Sequence, residues 1–336
     1  MGDYTSTLVS WVQTAVITGG ALTVGLLGLL YVFQDKLLYF PSMPGVSKLT
    51  TENPEGYRRP SEYGIDYEDV YIPCSDGVKI HAWLMKQSRP QSYPTIVFFH
   101  GNAGNIGYRL PNAAKMFRHL ECNILLVDYR GYGLSEGEPS ERGLQLDAEG
   151  AVDFMHTRSD IDATKLIAFG RSIGGAVAIY LAETRRDKIA AIIVENTFLS
   201  ISTMVDQVMP IFTFVKPLVL AIDWNNARRI PHVTLPLLFV AGERDELVPH
   251  AHMQQLYAMA TKSSLRKWLP IPRGTHNDSW LRGGLDYFHG VRQFIEAVSH
   301  VTLATTCDAD DDDDAAAAAI PNMLDQPLFE HRKKHV

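Results

Sequence analysis

Leu166-Ile167-Ala168-Phe169-Gly170-Arg171-Ser172-Ile173-Gly174, running on into Gly175-Ala176-Val177-Ala178-Ile179-Tyr180-Leu181-Ala182, is the stretch that decides the fold. The apolar run before Gly170 reads as a buried strand, and the run from Gly175 reads as a helix. Gly170-Arg171-Ser172-Ile173-Gly174 between them has the Gly-x-Ser-x-Gly form of a nucleophile elbow. In that turn the central serine takes a strained backbone conformation, and a Cβ at either flanking glycine would strike neighbouring backbone. The hydroxyl then stands at the carboxyl end of the strand with a helix N-terminus behind it. Free N–H groups and partial positive charge at that helix end suit a developing oxyanion.

A serine is a poor nucleophile at neutral pH and needs an imidazole base, which in turn needs a carboxylate to fix its tautomer. The chain supplies both in the order Ser, Asp, His. Leu237-Leu238-Phe239-Val240-Ala241 reads as a strand, and Asp245 follows it on a loop before Leu247-Val248-Pro249. Arg266 to Ile271 reads as the next strand, and His276 follows it in Gly274-Thr275-His276-Asn277. All three groups are expected at one edge of a parallel sheet. Glu243 and Glu246 are rival acids, read as parts of a solvated loop; His250 and His252 are rival bases, read as helix-surface histidines. The strand-like Thr95 to Phe99 runs into His100-Gly101-Asn102-Ala103-Gly104-Asn105, whose glycines allow close backbone approach to a substrate. The expected oxyanion donors are the backbone N–H groups of Asn102 and Ile173, with Ala103 in reserve for Asn102. This loop lacks the spacing of dinucleotide or phosphate-binding loops, which argues against a nucleotide ligand.

These stretches, with Asp128-Tyr129-Arg130-Gly131-Tyr132-Gly133-Leu134-Ser135, resemble the α/β-hydrolase superfamily, and within it the alpha/beta-hydrolase domain-containing protein 13 and Bem46-like group. The resemblance covers roughly Tyr39 to His300, with departures mainly in the C-terminal tail. It implies a serine hydrolase with Ser172, Asp245 and His276 as the triad. That group is also likened to prolyl-oligopeptidase-type peptidases and to protein depalmitoylases, so the resemblance implies a chemistry more firmly than a substrate. Asp128 is read as a local backbone acceptor at the start of a Gly-rich loop rather than as a catalytic acid.

The chain has 336 residues, 46% hydrophobic and 21% charged, a globular composition with one large core. The expected organisation is a short segment at 1–14, a transmembrane helix at 15–33, an α/β-hydrolase domain at 34–303 and an acidic low-complexity tail at 304–336. No charged residue lies between Thr5 and Phe33, and the absence of a basic leader argues against a cleaved signal peptide. Of the net charge of −7, −5 falls in residues 304–336, so the body carries no basic excess for nucleic acid. Three cysteines make no disulfide framework or zinc spacing, Cys122 is expected to be buried, and the chemistry requires no metal or organic cofactor. Lys36, Lys48, Arg58 and Arg59 follow the apolar segment while no Lys or Arg precedes it, which puts the catalytic domain on the cytosolic side. The terminal Lys333-Lys334-His335-Val336 is similar to a di-lysine retrieval signal, and with it the expectation is an endoplasmic-reticulum membrane protein.

Two β-rich segments, Tyr67 to Pro73 and Val78 to Lys86, are expected to pair antiparallel. Strand-like runs at Thr95, Asn123, Leu166, Ile189, Leu237 and Arg266 then alternate with helices, predicting a mostly parallel sheet covered on both faces. Residues 197–231 leave that rhythm and are apolar, the place and character of a short cap. A membrane-anchored serine hydrolase acting on an ester or thioester of an acyl lipid or acylated protein is the leading expectation. A serine peptidase and a non-catalytic membrane scaffold are the alternatives.

Overall fold

The computed structural model describes residues 2–299, so the acidic tail and the chain's last four residues lie outside the described residues. A long helix α1 (Gly2–Leu38) comes first and contains the apolar 15–33 stretch, continuing beyond it at both ends. Eight strands follow: β1 (Tyr67–Pro73), β2 (Lys79–Met85), β3 (Thr95–Phe99), β4 (Asn123–Val127), β5 (Leu166–Arg171), β6 (Ala191–Glu195), β7 (Leu237–Gly242) and β8 (Arg266–Ile271). They form one sheet in the order β1-β2-β4-β3-β5-β6-β7-β8. β2 runs antiparallel to both β1 and β4, and every pairing from β4 to β8 is parallel. The strand expected from Ile189 begins at Ala191, since Ala190 N already bonds Leu166 O on the approach.

The central strands are apolar on both faces, as strands buried from both sides must be. In β5, Leu166 and Ala168 join one core cluster while Ile167 and Phe169 join the other; β4 divides Leu125 and Val127 from Ile124 and Leu126 in the same way. Helices α2 (Leu110–Leu120) and α10 (Gly284–Ser299) cover one face. Helices α3 (Glu141–Thr157), α4 (Ile173–Thr184) and α8 (His250–Met259) cover the other. The segment between β6 and β7 carries α5 (Ile201–Val208), α6 (Lys216–Val219) and α7 (Asn226–Arg229), and α9 (Ser279–Arg282) lies just before α10.

The junction of β5 and α4 fixes the two central layers. A Cβ on Gly170 would stand 1.9 Å from Gly174 O, and one on Gly174 would stand 2.0 Å from Phe99 O. Both obstructions are backbone, which cannot rotate away. The end of β5 is tied in by a buried network in which Arg171 Nε donates to Glu195 Oε1 at 2.8 Å and Tyr287 OH donates to Glu195 Oε2 at 2.7 Å. Strand, neighbouring strand and covering helix α10 are thereby held together below the turn.

Gly174→Ala is expected to cost at least about 3 kcal/mol, the top of the overpacking range, because β3 itself would have to move. Comparison of urea midpoints of Gly174→Ala with those of Ala176→Gly, a change inside the same helix, would check this.

Candidate active site

Ser172 occupies the turn with φ 57° and ψ −120°, a left-handed backbone that a β-carbon disfavours. Bonds to the end of β6 and the residues after it hold it there, besides the turn bond from Gly175 N to its carbonyl. Its N–H donates to Glu195 O at 2.9 Å, and its carbonyl accepts from Thr197 Oγ1 at 2.7 Å. The residue is half-buried, and its hydroxyl has no hydrogen-bond partner among the described residues. Catalytic contacts of this kind commonly tighten only when substrate is bound.

Asp245 and His276 meet directly, with 2.8 Å between Asp245 Oδ2 and His276 Nδ1. The other carboxylate oxygen accepts from Leu247 N at 2.9 Å and Val248 N at 2.8 Å. The carboxylate is 2% exposed and the imidazole 6%, so the pair is shielded from water. A carboxylate at Nδ1 draws the ring proton to that side and leaves Nε2 as the basic nitrogen. The rival carboxylates Glu243 and Glu246 are exposed, and Glu246 Oε2 accepts the backbone N–H of His276 at 3.2 Å. His250 sits against Gly242 O and the Trp268 ring. His252 corrects its assignment to the helix surface. It is buried, because the chain leading into α5 packs over α8, and its Nδ1 accepts from Leu199 N at 3.4 Å. Burial pushes its pKa down, partly offset by the nearby Asp245 charge.

Residues 100–105 lie against the elbow. A Cβ on Gly101 would stand 3.7 Å from Ser172 Cβ. The backbone N–H groups of Asn102, Ala103 and Ile173 enter no hydrogen bond among the described residues. This loop is stitched to the end of α1. Phe40 N donates to Asn102 O at 2.9 Å, Gly104 N donates to Phe40 O at 3.0 Å, and Asn102 Nδ2 donates to Leu38 O at 2.9 Å. Tyr132 OH adds a bond to Asn102 O at 2.7 Å. From beneath, Arg109 donates to Ala103 O. Asp128 is a correction of a different sort: its carboxylate does not serve the local loop. Oδ1 accepts from Ile106 N at 2.9 Å, so β4 braces the segment after β3 over a long sequence distance. His100 is fully buried, and burial beside the Arg109 guanidinium pushes its pKa down to about 3, so the ring is neutral.

Sequence reasoning missed Asn196. It follows β6 in the left-handed region, φ 47°, and is 1% exposed. Its Oδ1 accepts from Gly242 N at 2.8 Å, at the root of the Asp245 loop. Its Nδ2 donates to Thr275 O at 2.9 Å, His276 O at 3.0 Å and Ser279 Oγ at 3.0 Å. Its chain neighbours Glu195 and Thr197 are the residues that hold Ser172. One amide thus spans the loops of the serine, the acid and the histidine. The available signal was a polar Glu195-Asn196-Thr197 directly after the apolar run Ala191-Ile192-Ile193-Val194. Below His276, Asp278 Oδ1 accepts from Thr275 N at 2.8 Å and from Thr275 Oγ1 at 2.7 Å, while Oδ2 pairs with Arg282 Nε at 2.8 Å. Burial alone would raise the Asp278 pKa, but Arg282 and Thr275 outweigh it and hold the carboxyl below its usual range.

An eight-stranded, mostly parallel sheet with a strained serine after β5, an Asp loop after β7 and a His loop after β8 defines an α/β-hydrolase fold. A family pattern described as Hydrolase_4, serine aminopeptidase S33, matches residues 90–222. The alpha/beta hydrolase domain-containing protein WAV2 of Arabidopsis thaliana is 38% identical over 301 residues, covering 86% of this chain and 96% of that one. Protein bem46 of Schizosaccharomyces pombe is 36% identical, covering 88% and 96%, and an uncharacterized membrane protein, YNL320W, of Saccharomyces cerevisiae is 35% identical, covering 85% and 97%. The chain belongs to this WAV2 and Bem46 family of α/β-hydrolases. Among solved structures, the Pyrococcus furiosus esterase Pf2001 superposes with a TM-score of 0.61 at 20% identity, covering 71% of this chain and 95% of that one. The carboxylesterase EstE1 superposes with a TM-score of 0.55 at 16% identity, covering 71% and 90%. These two share the fold.

Asn196→Ala is expected to lower kcat for hydrolysis of any substrate the protein turns over by about 10²-fold with little change in KM, since small misplacements of reacting groups carry penalties of that size. It also leaves the buried Gly242 N–H unpaired, for a stability loss of about 1–3 kcal/mol. Asn196→Gly, which tolerates the backbone, separates strain from lost bonding: similar kinetics in both variants would assign the effect to the amide. The depressed Asp278 pKa contributes stability that is complete above the unfolded carboxylate value and lost as pH falls through the lower folded value. Melting curves between about pH 5 and pH 2 should therefore decline less steeply in Asp278→Asn than in the parent.

Proposed function

We propose that the protein is a membrane-anchored serine hydrolase that cleaves ester or thioester bonds by way of an acyl-enzyme. The observation that carries this reading is the buried Asp245–His276 pair together with a serine held at φ 57° on the elbow, their loops joined through Asn196. Ser172 Oγ attacks the acyl carbon while His276 Nε2 takes its proton. The imidazolium formed is stabilised by Asp245, whose carboxylate is held in place by the Leu247 and Val248 amides. Backbone N–H groups of Ile173 and Asn102 hold the oxyanion, with Ala103 as the alternative second donor. His276 then protonates the leaving alcohol or thiol, and a water activated by the same nitrogen releases the acid.

Membrane anchoring is supported by α1, whose Thr7–Leu38 stretch is long and apolar enough to span a bilayer and is exposed over most of its surface. It is supported also by the relative named as a membrane protein. The basic residues Lys36, Lys48, Arg58 and Arg59 after the span favour a cytosolic catalytic domain, with the endoplasmic reticulum as the membrane. An apolar cap beside the anchor favours acyl chains, as an acyl lipid or an acylated protein. A second reading, a serine peptidase, is favoured by the description of the family pattern over residues 90–222.

A fluorophosphonate probe should label the membrane-bound protein, and Ser172→Ala and His276→Ala should abolish labelling and cut ester hydrolysis by at least about 10³-fold. Absence of labelling in folded parent protein would refute an activated serine. Turnover of peptides in preference to p-nitrophenyl acyl esters would favour the peptidase reading.

A further inference from the structure

The segment between β6 and β7 leaves an apolar face uncovered. Ile211 is 80% exposed, Phe214 89% and Leu218 71%, with Val208 and Met209 partly exposed beside them. Between Val208 and Ile222 the only charged residue is Lys216, and its ammonium is already paired with Asp206 and bonded to Ser202 O. Single exposed apolar side chains are ordinary, but three this exposed within eight residues call for an occupant.

Where this face sits identifies the occupant. α6 packs against α1. Gln34, near the C-terminal end of α1, clamps the chain just beyond α6: its Oε1 accepts from Ala221 N at 2.7 Å and Ile222 N at 2.9 Å, and its Nε2 donates to Val219 O at 3.3 Å. Trp224 Nε1 donates to Tyr39 OH at 2.9 Å, a second tie to the chain leaving α1. Gln34 is followed at once by Asp35 and Lys36, the first charges after the apolar run, and preceded one turn earlier by Tyr31. Tyrosine and the first charges mark the boundary between hydrocarbon and headgroups. At 1.5 Å per helical residue, the clamp holds the cap within about 5 Å of that boundary along the helix. Phe33 and Leu37, also exposed, carry the apolar surface along this end of α1.

We infer that the Ile211, Phe214 and Leu218 face rests in the bilayer that α1 crosses, as an interfacial apolar patch sunk about 5–10 Å into the headgroup and acyl boundary. The inference builds on the membrane-anchor reading of α1. It brings the lipid surface to the same end of α1 that bonds both the cap and the residue 100–105 loop beside Ser172. An acyl chain then enters from the lipid side without crossing water.

The test uses the full chain in phosphatidylcholine vesicles. Cys74 and Cys122 are buried, so with Cys307→Ser a single introduced cysteine can be labelled with an environment-sensitive nitrobenzoxadiazole dye. Three variants are compared: Val24→Cys in the span, and Ile211→Cys and Phe214→Cys in the cap. Dye fluorescence is read with and without lipids carrying a nitroxide near the headgroup end of the acyl chain. The expected result is quenching of at least about two-fold at 211 and 214, the depth of an interfacial patch, and a blue-shifted, lipid-buried signal at 24. A buried signal at 24 with unquenched dyes at 211 and 214 would overturn the cap inference and leave the anchor standing. Water-exposed dyes at all three positions would overturn both.

Discussion

The molecule is organised around a close approach of backbones. Where β5 turns into α4, the chain passes so near to itself and to β3 that no side chain fits at Gly170 or Gly174. That crowding forces Ser172 into its left-handed conformation and aims the first turn of α4 at the space above the sheet. Once strand and helix are fixed at this distance, β3 and β6 must lie on either side, and the loops leaving them must rise around the serine. The buried Arg171, Glu195 and Tyr287 network then fixes strand ends that apolar packing alone would leave free to slide. Opposed charges in so dry a place tolerate the loss of neither partner.

Above that crossing, positional accuracy is a matter of hydrogen bonds rather than of burial. Asp245 is held by two amides of its own loop, whereas His276 is held both within its loop, by the Asp278 carboxylate through Thr275, and from outside it, by the Asn196 amide and the Glu246 carboxylate. The Asp245 side chain is therefore held locally, while His276 also needs distant partners.

This difference also explains what could be read in the sequence. Apolar runs followed by glycine or acidic loops are local patterns, so the strands and the loops bearing Ser172, Asp245 and His276 were legible residue by residue. The role of Asn196 was not, because all its partners lie more than forty positions away and only the closed sheet brings them together. His252 was misread for the same reason: α8 has the polar composition of a surface helix, and it is buried by a segment some fifty residues earlier. Asp128 was expected to bond within its own loop and instead reaches back to Ile106. Local patterns pick out the candidate groups, while the groups that hold them in place are defined by topology.

The end of α1 is joined to the loop beside the serine by main-chain bonds through Phe40 and by the Asn102 side chain on Leu38. Such a joint sets a limit on how this lineage can vary. A sorting helix linked by a slack tether can be exchanged between proteins, or lost by an altered start of translation, without consequence for chemistry. Here the same residues finish the helix and begin the frame of the candidate site. Helix α1 is thus coupled to the hydrolase core as one unit, and its sequence near Leu38 is constrained by the geometry of that core as well as by its own apolar character.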